Sequence, residues 1–130
     1  MRAIIVDDEK HCRDLLLLLL EKYCPDVTVE AVCTDGIAAL EAIERCHPEL
    51  LFLDVEMPGM NGFELLEACE RPAFSIIFTT AYNQYAIQAI RHSALDYLLK
   101  PLDKDELIRA VEKAASQQRQ INGNKVNNLL

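Results

Sequence analysis

Short, continuous apolar runs alternate along the chain with longer segments of helical period. The first run, residues 3–6, is apolar at every position, which is typical of a strand covered on both faces of a sheet. Apolar residues then recur at i, i+3, i+4, i+7, i+8 and i+11, the spacing of one helix face. They are Cys12, Leu15, Leu16, Leu19, Leu20 and Tyr23. The pattern predicts a strand followed by an amphipathic helix.

The same alternation continues to about residue 118. It predicts further strands at 27–33, 50–53, 75–79 and 96–99. It predicts further helices at 35–46, about 61–70, 83–92 and 103–118. In the second helix Ile37, Leu40 and Ile43 are expected to face inward. Five strands alternating with five helices predict an α/β domain with a parallel sheet, and right-handed crossovers place helices on both faces.

The C-terminal stretch differs in composition from the rest. After Ala115 the apolar period fades, and residues 117–130 include seven Asn or Gln and one Gly. With 130 residues the chain fits one domain of common size. We therefore expect a folded domain over 1–118 and a polar linker or tail over 119–130.

Charge and hydropathy exclude several classes of function. The chain has 13 basic and 21 acidic residues, a net charge of −8, so we expect no nucleic-acid binding by this domain itself. Its longest aliphatic run, residues 15–20, is far shorter than the roughly 20 residues of a membrane span. The five cysteines include no C-x-x-C pair, and no secretory signal pattern is visible. We expect a cytoplasmic protein that does not bind membranes.

Polar residues follow the predicted strands at their carboxyl ends. Asp7 and Asp8 follow the first strand and Asp54 the third, while Thr80 follows the fourth and Lys100 the fifth. Each residue alone could have an ordinary role, such as capping a helix or ending a strand. In open parallel sheets, however, ligands bind beyond the carboxyl ends of the strands. We therefore expect these side chains to converge on one site.

Such a cluster of carboxylates requires compensation. At ~5 Å separation and an effective dielectric of about 20, each carboxylate pair would repel by roughly 3 kcal/mol. Oxygen ligands with open positions suit Mg²⁺. A carboxylate beside Mg²⁺, a hydroxyl and an ammonium is suited to becoming an acyl phosphate, with Lys100 neutralising the transferred group and Thr80 donating a hydrogen bond to it.

These motifs resemble the receiver domain of two-component response regulators. The segments concerned are 7–9 (DDE), 53–62 (LDVEMPGMNG), 79–81 (TTA) and 100–101 (KP). The resemblance covers about residues 1–118. It implies the flavodoxin-like receiver fold, a five-stranded parallel sheet in the order 2-1-3-4-5 with five helices on its two faces. It also implies a phospho-accepting signalling switch rather than an enzyme acting on a separate substrate.

The resemblance assigns roles to the acidic residues. Asp54 would be the phosphoacceptor. Asp8 and Asp54 would bind Mg²⁺ directly together with the backbone carbonyl of Glu56, and Asp7 would assist through water.

It also assigns roles around the transferred group. Thr80 and Lys100 would contact the phosphoryl group, and the bond before Pro101 would be cis. Thr80 and Tyr97 would form the conformational switch.

Two further residues concern the lifetime of the phosphorylated state. Glu56 and Tyr82 each lie two residues beyond a site residue. We expect them to flank the path of the hydrolytic water and to slow its attack.

A finer resemblance is to receivers of the LytR/AlgR type. It rests on the segments 80–82 (TAY), 85–89 (YAIQA) and 94–101 (ALDYLLKP). It implies a sensor histidine kinase as phosphoryl donor and a LytTR DNA-binding output domain outside this chain. Phosphorylation is expected to promote a homodimer through the fourth helix and fifth strand. The residues concerned are Tyr85, Ile87, Ile90, Arg91 and Leu95, whose side chains could alternatively face the sheet.

Three other functions remain open from the residues. A phosphohydrolase using a covalent aspartate would want an acid two residues after its nucleophile, which Glu9 after Asp7 matches loosely. A flavin-binding module of this fold is disfavoured, because the carboxylates of 7–9 would repel the flavin phosphate. A receiver that binds partners without being phosphorylated is disfavoured by the complete set of site residues.

Overall fold

The structure, a computed structural model, describes residues 1–69 and 72–129. Its strands are β1 (Arg2–Val6), β2 (Thr28–Cys33), β3 (Leu50–Leu53), β4 (Ser75–Thr80) and β5 (Asp96–Leu99). Its helices are α1 (Lys10–Tyr23), α2 (Gly36–Cys46), α3 (Gly62–Ala68), α4 (Ala86–Arg91) and α5 (Lys104–Leu129). All strand pairs are parallel, in the order β2-β1-β3-β4-β5. The predicted fold class and strand order are confirmed.

The three central strands carry the core because both of their faces are covered. Residues of β1, β3 and β4 alternate between two buried clusters, one on each side of the sheet. Ile4, Leu51 and Phe78 belong to the cluster that includes side chains of α2 and α3. Ile5 and Phe52 belong to the cluster that includes side chains of α1 and α5. Each such fully buried side chain contributes about 1.5–3 kcal/mol relative to exposure.

The inward face of α2 differs from the prediction only at Ile37, since Leu40 and Ile43 are half-buried and pack against the core as expected. Ile37 is 68% exposed, whereas Gly36, Ala39 and Ala42 are buried. The helix begins at the N-cap Asp35, whose carboxylate accepts a hydrogen bond from the Ala38 N–H at 2.8 Å. A Cβ on residue 36 would lie 2.6 Å from the Met60 sulfur, so the small residues allow close packing and turn Ile37 outward.

Three helix boundaries also differ from the sequence pattern. The third helix is N-capped by Asn61 and ends at Ala68, while the predicted end, residue 70, lies outside the described residues. The fourth begins at Ala86 instead of residue 83. The fifth continues past the predicted end at 118 and is helical to Leu129, so the described part of the polar tail is helical; residue 130 lies outside the described residues.

Candidate phosphoacceptor site

Three carboxylates meet at the carboxyl edge of the sheet. Oxygen atoms of Asp7, Asp8 and Asp54 all lie within 4.8 Å of one another. The backbone fixes this arrangement, since the Asp54 N–H donates to the carbonyl of Val6 at 3.0 Å and the Asp7 N–H donates to that of Cys33 at 3.1 Å. The parallel register of β1 with its neighbours therefore brings together residues that are 46 and 47 positions apart.

Lys100 provides the positive charge of the cluster. Its Nζ lies 2.8 Å from Asp7 Oδ2 and 3.1 Å from Asp54 Oδ2. The strand β5 positions it, because the Lys100 N–H donates to the carbonyl of Thr80 at 2.8 Å. Burial alone would lower the pKa of Lys100, but the hydrogen bond and charge of Asp7 and the charge of Asp54 outweigh burial and raise it. The ammonium is therefore charged at neutral pH.

The carboxylates are more numerous than Lys100 can satisfy. Burial raises the pKa of Asp54, and the charge of Lys100 opposes this shift without cancelling it. Asp8 Oδ1 and Asp54 Oδ1 are buried and have no hydrogen-bond partner among the described residues. Buried polar atoms are almost always partnered, so these two oxygens indicate a ligand. Carboxylate oxygens beside open space suit Mg²⁺, and the residues present fit that ion.

An open cavity of about 560 Å³ gives access to the cluster. Asp8, Asp54 and Lys100 line its floor, together with residues of the β3–α3 and β4–α4 loops. Asn61 also lines the cavity, and its carboxamide oxygen accepts a hydrogen bond from the Glu64 N–H while the Glu64 carboxylate accepts one from the Asn61 N–H, a capping box that begins α3. The cavity is large enough for a phosphoryl donor of small size.

The remaining site residues lie around this cluster. Thr80 is fully buried at the end of β4, and its hydroxyl accepts a hydrogen bond from the Tyr82 N–H at 3.3 Å. The half-buried Tyr97 donates its hydroxyl to the carbonyl of Tyr82. The Lys100–Pro101 peptide bond is cis. Tyr82 thus connects both expected switch residues.

One contact at the cavity mouth is not predicted by any pattern in the sequence. Tyr85 donates its hydroxyl to the carboxylate of Glu56, and both residues line the cavity. Sequence reasoning placed Tyr85 only on a dimer surface. The contact depends on how α4 lies beside the β3–α3 loop, which neither periodicity nor motif spacing reports.

The proposed dimer surface is partly exposed. Ile87 and Ile90 are 69% and 73% exposed, and Arg91 is exposed as well. The alternative, in which the side chains of this surface face the sheet, is therefore wrong for Ile87, Ile90 and Arg91. Tyr85 and Leu95 are half-buried and pack against the two core clusters.

The fold and the acidic site define a class of protein, and comparison with known proteins identifies it. Residues 3–112 match the model of the response regulator receiver domain, so the chain belongs to this family. No helix in the described ranges is long and apolar enough to span a membrane.

Relatives in sequence and structure are of the same kind. The chain is 41% identical over 115 residues to an uncharacterized response regulatory protein of Yersinia pestis, covering 87% of this chain and 48% of that one. It is 37% identical over 123 residues to the sensory transduction protein LytT of Bacillus cereus, covering 92% and 49%. The response regulatory domain of protein mrkE from Klebsiella pneumoniae superimposes with a TM-score of 0.84 at 26% identity, covering 92% and 99%. The chain spans about half the length of the two sequence relatives.

Proposed function

We propose that Asp54 accepts a phosphoryl group in an Mg²⁺-dependent reaction and that this modification switches the conformation of the domain. One observation carries the proposal: Asp7, Asp8, Asp54 and Lys100 converge below an open cavity, with two buried carboxylate oxygens left unpartnered. A purely structural ion pair has no use for buried oxygens without partners. A phosphoacceptor site that binds a metal ion needs such oxygens as ligands.

Each residue of the site has a separate role in phosphoryl transfer. An Asp54 carboxylate oxygen attacks phosphorus, the bond from phosphorus to the donor breaks with its electron pair leaving on the donor, and an acyl phosphate results. Lys100 lies against Asp54 and neutralises the charge that the phosphoryl group brings. Asp8, Asp54 and the carbonyl of Glu56 would hold Mg²⁺, with Asp7 assisting through water. The ion would supply further charge neutralisation.

The switch follows from the two contacts of Tyr82. A phosphoryl oxygen on Asp54 is a strong, charged acceptor, so Thr80 turns to donate a hydrogen bond to it. The hydrogen bond between Thr80 and the Tyr82 N–H is then lost, and the β4–α4 loop moves toward the site. Tyr97 is bound to the carbonyl of the same residue and changes position with it.

The partners follow from the proposed chemistry and from the relatives. A sensor histidine kinase would supply the phosphoryl group, in the cytoplasm where ATP is available. Phosphorylation would favour a homodimer through the exposed face of α4. The similarity to LytT and the half-length coverage support a LytTR output domain that contacts DNA outside this chain, so that dimerisation raises its effective concentration at paired half-sites.

Intact mass measurement tests the proposal against its alternatives. We expect incubation with acetyl phosphate and Mg²⁺ to add the mass of one phosphoryl group, and omission of Mg²⁺ to prevent the addition. A phosphohydrolase would instead release many equivalents of phosphate per chain. A flavin module would bind flavin mononucleotide, and a receiver that is not phosphorylated would keep its mass in every condition.

A further inference from the structure

The mouth of the phosphoacceptor cavity is bridged by a contact between two elements. Tyr85, the N-cap residue of α4, donates its hydroxyl to the carboxylate of Glu56 in the β3–α3 loop. Its ring also packs edge-on against Phe63, at 6.1 Å between centroids, and against Tyr82 at 6.2 Å. Tyr85 is therefore held on both sides, and its hydroxyl is presented to one defined position in the mouth.

Glu56 has no other hydrogen-bond partner for its side chain among the described residues. The carboxylate is exposed and belongs to a loop, so without the tyrosine it would sample many rotamers. The hydrogen bond to Glu56 raises the pKa of Tyr85, so the hydroxyl stays protonated and able to donate. The position of this carboxylate over the cavity thus depends on one hydroxyl.

We propose that Tyr85 is a positioning residue that holds Glu56 across the cavity mouth and thereby prolongs the life of the phosphoryl group on Asp54. This inference rests on the proposed phosphorylation and deepens it. In the reaction concerned, a water oxygen attacks phosphorus, the bond between phosphorus and the Asp54 oxygen breaks with its electron pair returning to the carboxylate, inorganic phosphate leaves, and the proton of the water passes to solvent. A carboxylate held in the mouth hinders the approach of this water by its volume and its charge.

Removing the hydroxyl alone releases Glu56 while keeping the aromatic packing. We expect Tyr85→Phe to shorten the phosphoryl half-life about threefold to tenfold. Loss of one solvent-accessible hydrogen bond lowers the population of the positioned Glu56 side chain by a factor of this size. Tyr23→Phe removes a hydroxyl from α1, away from the cavity, and serves as the matched control with an unchanged half-life.

A double-mutant cycle separates positioning of Glu56 from a role in packing. Glu56→Ala should shorten the half-life, and adding Tyr85→Phe to it should change nothing further. Adding Tyr85→Phe to Glu56→Gln should still shorten it, because the glutamine carbonyl accepts the same hydrogen bond.

The experiment labels each variant with acetyl phosphate and Mg²⁺, removes the donor, and follows the phosphorylated fraction by intact mass. Loss of the Tyr85→Phe effect in the Glu56→Ala background supports the proposal. An unchanged half-life in Tyr85→Phe, or an equal effect with and without Glu56, overturns it while leaving phosphorylation intact. A wild-type chain that takes up no phosphoryl group overturns both this inference and the proposed function.

Discussion

At the scale of single residues, the site is a group of buried charges whose compensation is incomplete. Lys100 Nζ lies within 3.1 Å of two carboxylates, and the side chains of Lys100 and Asp54 are 13% and 5% exposed. Charges this far from solvent are stable only when paired, because water cannot solvate them. Without bound metal, the stability of the folded protein therefore depends on the positive charge of Lys100.

Replacing Lys100 tests this dependence. We expect Lys100→Ala to lower the free energy of unfolding by about 3 kcal/mol without Mg²⁺, since it leaves buried carboxylates unpaired. Chemical denaturation measures the change, and added Mg²⁺ should restore part of the loss. The exposed Lys10 pairs with Asp14 at 2.8 Å, and Lys10→Ala is the control, expected to cost less than about 1 kcal/mol. Equal losses for the two variants would show that the cluster is not a buried ion pair.

Binding of Mg²⁺ to the acidic residues should stabilise the folded protein. We expect Mg²⁺ to raise the melting temperature of the wild-type chain, because an ion that binds only the folded state stabilises it. Asp8→Asn should lose this shift, since one unpartnered oxygen of the cluster belongs to Asp8. Asp105→Asn, in the exposed first turn of α5, should keep it. A full shift in Asp8→Asn would exclude Asp8 as a ligand.

At the scale of elements, the docking of α3 determines the shape of the acceptor loop. The Gly62 N–H donates to the carbonyl of Val55 at 2.8 Å, which closes the loop that follows Asp54. A Cβ on Gly62 would lie 2.5 Å from the backbone oxygen of Asp54 and 3.3 Å from Phe78 Cε1. The Asp54 oxygen belongs to the backbone that directly follows β3 and cannot yield without moving that backbone, so the glycine is required by close approach.

We therefore expect Gly62→Ala to destabilise the fold by about 3 kcal/mol through overpacking and to slow phosphorylation by displacing Asp54. Gly123→Ala, in α5 with open space around the added methyl, should be neutral or stabilising by up to about 1 kcal/mol. Denaturation and intact mass after acetyl phosphate treatment measure the two effects. Unchanged stability in Gly62→Ala would contradict the close packing.

The elements also show what the sequence could predict. Continuous apolar runs located the central strands β1, β3 and β4, since a strand buried on both faces has that pattern. The convergence of Asp7, Asp54 and Lys100 could be predicted from their positions at the carboxyl ends of strands. The outward position of Ile37 on α2 could not be predicted, because small residues occupy the positions closest to the core. The contact between Tyr85 and Glu56 could not be predicted either, because it depends on how separate elements pack.

At the scale of the whole molecule, an exposed patch on α4 is connected to the acceptor cavity. Ile87 and Ile90 leave an exposed apolar patch on α4 with Arg91 beside it, while α1 packs on the other side. The β4–α4 loop joins this patch to the acceptor cavity through Tyr82. A change at Asp54 can therefore alter the α4 surface.

This connection predicts phosphorylation-dependent association. We expect the chain to form dimers in sedimentation velocity with Mg²⁺ and beryllofluoride and to remain monomeric without the phosphate mimic. Arg91→Glu should weaken the dimer because it reverses the charge within the proposed contact, whereas Lys22→Glu on α1 should not. Binding of the mimic with no change in association would exclude a dimer switch on α4.

The most direct measurement locates the phosphoryl group itself. After reaction with acetyl phosphate and Mg²⁺, borohydride reduces an aspartyl phosphate to an alcohol, and peptide sequencing by mass spectrometry finds the altered residue. The account predicts that the alteration occurs at Asp54 alone and that the Asp54→Asn chain gains no phosphoryl mass. An altered residue elsewhere, or full labelling of Asp54→Asn, would contradict it.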